Sequence, residues 1–290
     1  MLVRFAPLIF LLLWSGGFSV AKVGIQYAEP LTLLALRYSC VVVLLLPFFL
    51  TVKPALPNGQ AAWLHLCLVG FLMQCAYFGT AYIAFDLGVS AGGVAIITSL
   101  QPILVALVVP MLNQERVTPQ RWTGLLLGLV GATIVITANS SIQLASFAGL
   151  AFAIVSLLSI TLATLLEKRN GQEHHPLTSN LVQYVVGAAC TLPIALWLED
   201  NRIEWTLPFV AALTYLVVAN SLVAISLLLM MIRRGEAARV SALFFLVPPV
   251  TALIAWFLLN ERLAWLSWPG MALAAAGVWL AMRSAEPVAH

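Results

Sequence analysis

Apolar residues fill this chain in long stretches, and the polar interruptions are short. The stretches fall at roughly 5–26, 31–52, 62–85, 91–112, 120–138, 146–167, 177–198, 208–231, 238–259 and 266–283. Turn formers stand between them: Glu29-Pro30, Lys53-Pro54 with Pro57-Asn58-Gly59, Thr118-Pro119, Asn139-Ser140-Ser141, His175-Pro176, Asp200-Asn201 and Arg234-Gly235. About 20 helical residues cross the ~30 Å hydrocarbon core of a bilayer. Lipid cannot hydrogen-bond a free backbone, so a crossing must be a helix or part of a closed barrel. Barrel strands alternate in ten-residue segments, and these runs do not. The pattern therefore predicts an all-α integral membrane protein with ten transmembrane helices.

Composition agrees. Of 290 residues, 62% are hydrophobic and 9% charged, against about 25% charged in a soluble domain. So few charges could not clothe a soluble surface of this size. The net charge of +3 comes without a basic run, so no nucleic-acid partner is expected. Cys40, Cys67, Cys75 and Cys190 lie inside apolar stretches with neither CxxC spacing nor a nearby His. They read as small buried hydrophobes, with no disulfide, metal or cofactor implied.

Lys and Arg set the expected orientation. With a cytoplasmic N-terminus, the inner ends would hold Arg4, Lys53, Arg116, Arg121, Lys168, Arg169, Arg233, Arg234, Arg239 and Arg283, ten in all. The outer ends would hold three: Lys22, Arg202 and Arg262. Both termini are then cytoplasmic, the last being a short tail at 284–290.

The chain also repeats itself at an offset of 146. Pro30-Leu31-Thr32 meets Pro176-Leu177-Thr178, Lys22 meets Lys168, Tyr38 meets Tyr184, and Leu46-Pro47 meets Leu192-Pro193. Pro102 meets Pro248, Glu115-Arg116 meets Glu261-Arg262, Trp122 meets Trp268, Gly124 meets Gly270 and Gly131 meets Gly277. Residues 91–136 hold 13 identities with their counterparts in 46 ungapped pairs. Apolar bias alone would not place Glu-Arg, Trp, Pro and two glycines in one register. The first helix has a counterpart in the second half, so it reads as a resident helix and not as a cleaved signal. Two halves follow, 1–140 and 146–283, of five crossings each. Five is odd, so the second half is expected to be inverted, an arrangement recurrent in secondary transporters with a solute site between the repeats.

Trp14-Ser15-Gly16-Gly17-Phe18-Ser19-Val20-Ala21-Lys22 and Arg37 resemble the opening motifs of the drug/metabolite transporter superfamily, EamA family. Gln101-Pro102, Glu115-Arg116 and Gly124…Gly131, with their second copies Val247-Pro248, Glu261-Arg262 and Gly270…Gly277, resemble its signature across the fourth and fifth helices. The general pattern also resembles aromatic amino acid exporters of the YddG type. The resemblance spans nearly the whole chain. It implies two EamA repeats, residence in a bacterial cytoplasmic (inner) membrane, and export of amino acids or related metabolites. Trp14-Ser15 departs from the usual Trp-Gly. Trp14, Ser15 and Ser99 lie on helices that the resemblance places around a central cavity.

Other candidates come from the residues themselves. Gln74, Tyr77, Phe78, Tyr82 and Phe85 share one face at helical spacing, and rings with hydroxyls suit a neutral or aromatic solute. Ser156, Ser159, Thr161, Thr164, Ser221 and Ser226 read as glue between helices rather than as a path lining. Asn220 is the stronger site candidate, because a buried amide demands partners. Arg37 could anchor an anion, but its position favours snorkelling to the outer interface. Glu115 and Glu261 are expected to form local salt links at helix ends. Pro102 and Pro248 are expected to kink helices from within. Gly124-x-x-x-Gly128 suits close packing, inside a monomer or across a dimer. His65, His174, His175 and His290 form no interior Ser-His, paired-Asp or HExxH constellation, so no catalytic residue is expected. A channel is disfavoured because no selectivity-filter pattern occurs.

Overall fold

The computed structural model describes residues 2–89, 94, 97–113, 117–139, 147–170, 174–234, 240–259 and 264–282. Its helices are α1 (Leu2–Gly24), α2 (Pro30–Val52), α3 (Gln60–Asp86), α4 (Gln101–Asn113), α5 (Pro119–Asn139), α6 (Phe147–Asn170), α7 (Pro176–Leu198), α8 (Leu207–Arg234), α9 (Val247–Leu259) and α10 (Ser267–Met282). Seven of these are long and apolar enough to cross a membrane, and the three shorter apolar ones are α4, α9 and α10. Large apolar side chains such as Leu8, Val43, Phe48, Leu126 and Leu196 face outward, as lipid requires and water would not tolerate on this scale.

Several local features follow directly from sequence. Pro30 and Pro176 open α2 and α7 at the first turn, where a missing N–H costs nothing. Lys53 ends α2 in the left-handed region with φ 49°. Pro102 and Pro248 do not kink helices from within, as their sequence position suggests. Each is the second residue of its helix, Pro102 after a turn at Ser99-Leu100 and Pro248 after the 3-10 turn Ala242–Leu246. The kink expectation is corrected: each proline starts an α segment after a local break. Glu115 and Glu261 lie outside the described residues.

Two stretches depart from α geometry. Residues Phe71–Gly79 of α3 and Leu216–Ile225 of α8 are π-helical. They occupy corresponding positions, since adding 146 to 71–79 gives 217–225. A π stretch loosens the hydrogen-bond ladder, and side chains take up the carbonyls. The Tyr38 hydroxyl donates to the Gln74 carbonyl (2.7 Å), Ser156 to Tyr77 (3.0 Å) and Tyr184 to Ser221 (2.9 Å). Tyr38 and Tyr184, themselves 146 apart, pack ring to ring at 5.8 Å.

Helices α5 and α10 make the tightest contact. A Cβ on Gly124 would lie 2.6 Å from the Gly277 carbonyl oxygen, and one on Gly131 2.7 Å from that of Gly270. The lower glycine of one helix meets the higher of the other, so the two helices run antiparallel. Adding 146 to 124 and subtracting it from 277 converts the first contact into the second. The Gly124 stripe is thus filled by α10 of the same chain.

Helices α2 and α7 also pack antiparallel, with one end fixed by a cross-chain cap. Glu199 accepts from the Leu31 N–H (2.8 Å), the Thr32 N–H (2.7 Å) and the Thr32 hydroxyl (2.7 Å). Glu199 thereby satisfies two of the orphan donors at the start of α2 and places a negative charge at its positive end. Glu199→Ala is expected to cost about 1–2 kcal/mol, read as an earlier thermal unfolding midpoint in detergent. Glu199→Gln should recover part of the loss, because an amide oxygen still accepts.

Candidate functional site

The candidate site lies between α1, α2, α3 and α8. Gly16 and Gly17 open α1 to side chains from α8. A Cβ on Gly16 would meet the Tyr215 hydroxyl at 2.3 Å, and one on Gly17 would meet Asn220 Nδ2 at 2.3 Å. Both α8 side chains reach the Leu13 carbonyl, Tyr215 at 2.9 Å and Asn220 at 3.5 Å. The glycine pair is therefore a docking notch.

Across the notch stands Arg37, and here the snorkelling expectation is corrected. Arg37 is 0% exposed. Its Nε donates to Ser221 Oγ (2.7 Å) and its Nη2 to Asn220 Oδ1 (2.8 Å). The guanidinium lies 4.7 Å from the centre of the Phe78 ring and 5.8 Å from that of Tyr38, within cation–π range. Two short polar side chains on α8 turn the group inward, where sequence position alone points it to the nearer interface.

Arg37 and Asn220 line a cavity with Trp14, Tyr77, Phe78 and Tyr82. It measures about 20 Å³, room for one or two waters. Trp14 stacks on Tyr77 at 6.4 Å and 9°, and meets Phe244 edge-on at 5.6 Å. A second small cavity, about 10 Å³, lies beyond Tyr77 and is lined by Ser99, Thr98, Phe244 and Pro248. Tyr77 lines both, so the Trp14–Tyr77–Phe244 cluster is the partition between them.

The structure brings together Trp14, Arg37, Tyr77, Phe78, Tyr82 and Asn220 among the sequence candidates, and places Ser99 and Pro248 on the far side of the partition. Others do not join. Gln74 is fully buried beside Tyr38 and Gly187, lining neither cavity. Gln74 faces α7 instead, where the missing side chain of Gly187 leaves room for it. Ser15 is buried and lines neither cavity. Ser159 is spent on its own helix, donating to the Val155 carbonyl at 2.7 Å.

Two polar groupings escaped sequence reasoning. Glu167 and Arg233, near the ends of α6 and α8, form a buried ion pair at 2.5 Å, and Arg233 also donates to the His174 carbonyl at 3.0 Å. Gln101 donates to Thr164 (3.1 Å) and Ser241 (3.3 Å), joining α4, α6 and the segment before α9. Opposite charges at the ends of two apolar helices, Glu167 and Arg233, could have flagged the first; nothing local marks the second.

Comparison with known proteins agrees with this architecture. A family model described as the EamA-like transporter family matches residues 4–137 and again 147–283. A Salmonella typhimurium protein named "Probable amino-acid metabolite efflux pump" is 24% identical over 289 residues, covering 95% of this chain and 93% of its own. Its Escherichia coli namesake is 23% identical, covering 94% and 92%. A Bacillus subtilis protein, "Uncharacterized transporter YvbV", is 24% identical, covering 87% and 82%. One crystal structure superposes with a TM-score of 0.81 over 96% of each chain at 17% identity, a likeness of fold. With two copies of the family domain spanning nearly its full length, the chain belongs to the EamA-like transporter family and is a multi-pass membrane transporter.

Proposed function

We propose that this transporter is a secondary exporter of small metabolites, aromatic and neutral amino acids foremost, working by alternating access in the inner membrane. The observation that carries the reading is the aromatic partition between two small cavities where the halves meet. A cavity of about 20 Å³ cannot hold an amino acid, so a solute enters only when helices separate. Two antiparallel, interchangeable helix pairs supply a way to do so from either face in turn. The proposed build is ten crossings in two inverted halves, 1–140 and 146–283, with both termini cytoplasmic. Reporter tags at 117–119 and 263–265 then report opposite sides of the bilayer; the same side sinks the inverted build.

The decisive experiment is counterflow in proteoliposomes against the twenty amino acids. Saturable, solute-specific counterflow is expected, and flux that never saturates overturns alternating access. Tyr82→Ala removes a buried ring from the cavity wall, a loss of about 1–1.5 kcal/mol beyond area. It should raise half-saturation roughly tenfold for aromatic solutes. If every solute is handled as before, the cavity is not the site.

A further inference from the structure

Arg37 presents a fixed positive charge to the cavity, and among the described residues only neutral groups are recorded against it. Its neighbours Asn220, Ser221, Phe78, Tyr38, Tyr82 and Tyr184 carry no carboxylate. The described carboxylates with recorded partners are engaged elsewhere: Glu167 with Arg233, Glu199 with the start of α2, Glu29 with Asn201 and Asp200 with Arg202. A cation held in a membrane interior by dipoles alone is costly relative to a paired one. Such a group persists where its charge is used.

The geometry of the guanidinium says how. One edge is occupied, Nε by Ser221 and Nη2 by Asn220. Nη1 is buried and makes no hydrogen bond to the described residues. Tyr82 and Tyr184 stand against the guanidinium as well, so it is Nη1 that is left to meet a carboxylate oxygen with a charge-assisted hydrogen bond. Trp14, on the same cavity, has a buried indole N–H without a partner. Among the described residues the cavity wall thus offers donors and ring faces and no acidic acceptor.

The geometry points to Arg37 as the anchor for a single carboxylate on the transported solute, with Asn220 and Ser221 holding the fork in place. The substrate class is an organic monocarboxylate with an aromatic or apolar body. This rests on the transport reading above and narrows it. An α-ammonium group is accommodated over the ring faces but is not required, so the site reads the carboxylate and not the amine. A dicarboxylate would bring a second charge for which the cavity has no cation.

Four probes sharing a phenyl ring test this: phenylalanine, 3-phenylpropionate, phenylalaninamide and phenethylamine. With the full chain in detergent and in proteoliposomes, the two carboxylates are expected to raise the unfolding temperature and to drive counterflow. The amide and the amine are expected to do neither. Arg37→Gln should weaken carboxylate handling roughly ten- to a hundredfold; Arg37→Lys, which keeps the charge and loses the fork, should fall between. The anchor is overturned if the amide or amine works as well as the carboxylates. It is equally overturned if folded Arg37→Gln keeps the parent half-saturation. Should Arg37→Gln not fold, the ranking of probes on the parent protein decides alone. Counterflow of the amine with no carboxylate preference sinks the anchor and leaves the transporter reading intact. Absence of counterflow for every probe and amino acid removes both.

Discussion

Glu167→Ala is expected to destabilise the bundle by about 3–5 kcal/mol, the largest effect of any single change considered. Glu167 is 0% exposed and its Oε1 lies 2.5 Å from Arg233 Nε. Removing it leaves a buried guanidinium without its counter-charge, and breaking one side of a buried pair carries that magnitude. Replacing both members with an apolar residue is a different experiment. Glu167→Met with Arg233→Met deletes two desolvated charges together, and should recover most of the loss. The four cysteines are free and partly buried, so a thiol-reactive fluorophore that labels them as they become exposed reports unfolding. A single variant as stable as the parent, or a double variant worse than either single, would contradict the assignment.

Gly277→Ala and Gly131→Ala carry the second-largest expected effect, about 2–3 kcal/mol each. A Cβ at 277 would sit 2.3 Å from the Gly128 nitrogen, and one at 131 would sit 2.3 Å from the Ala274 nitrogen. Backbone cannot step aside as a side chain can, so α5 and α10 must part. Gly128→Ala is a graded control. Its nearest neighbour is the Phe245 ring at 2.7 Å, which can rotate, so a smaller loss is expected. Gly79→Ala meets nothing within 4 Å and should be tolerated. The same thermal assay ranks the four. An order in which Gly79→Ala costs as much as Gly277→Ala would show that close approach does not govern these positions, since helix propensity by itself favours alanine.

Sequence alone determined much of this protein. Hydropathy is a local property and lipid is a uniform solvent, so runs of twenty apolar residues were enough to specify a helical membrane protein. The repeat was equally readable, because matching residues leave a register. The offset of 146 aligned Tyr38 with Tyr184, Gly124 with Gly270 and Gly131 with Gly277; that Tyr38 touches Tyr184 and that Gly124 meets Gly277 only the structure showed, and the family was legible in the motifs.

Tertiary structure decided what depends on two distant segments meeting. Arg37 is eight residues into its helix and could face either lipid headgroups or protein; Asn220 and Ser221, more than 180 positions away, turned it inward. Glu167 and Arg233 look like ordinary helix-end charges until α6 and α8 are placed side by side. Gln74 went to the Gly187 notch on α7 and not to the cavity wall with Tyr82, and an α-helical period cannot anticipate an i→i+5 ladder. Pro102 and Pro248 read as interior kinks until the turns ahead of them were seen. In each case the deciding quantity is a pairwise energy in a low-dielectric interior, which one-dimensional hydropathy does not contain.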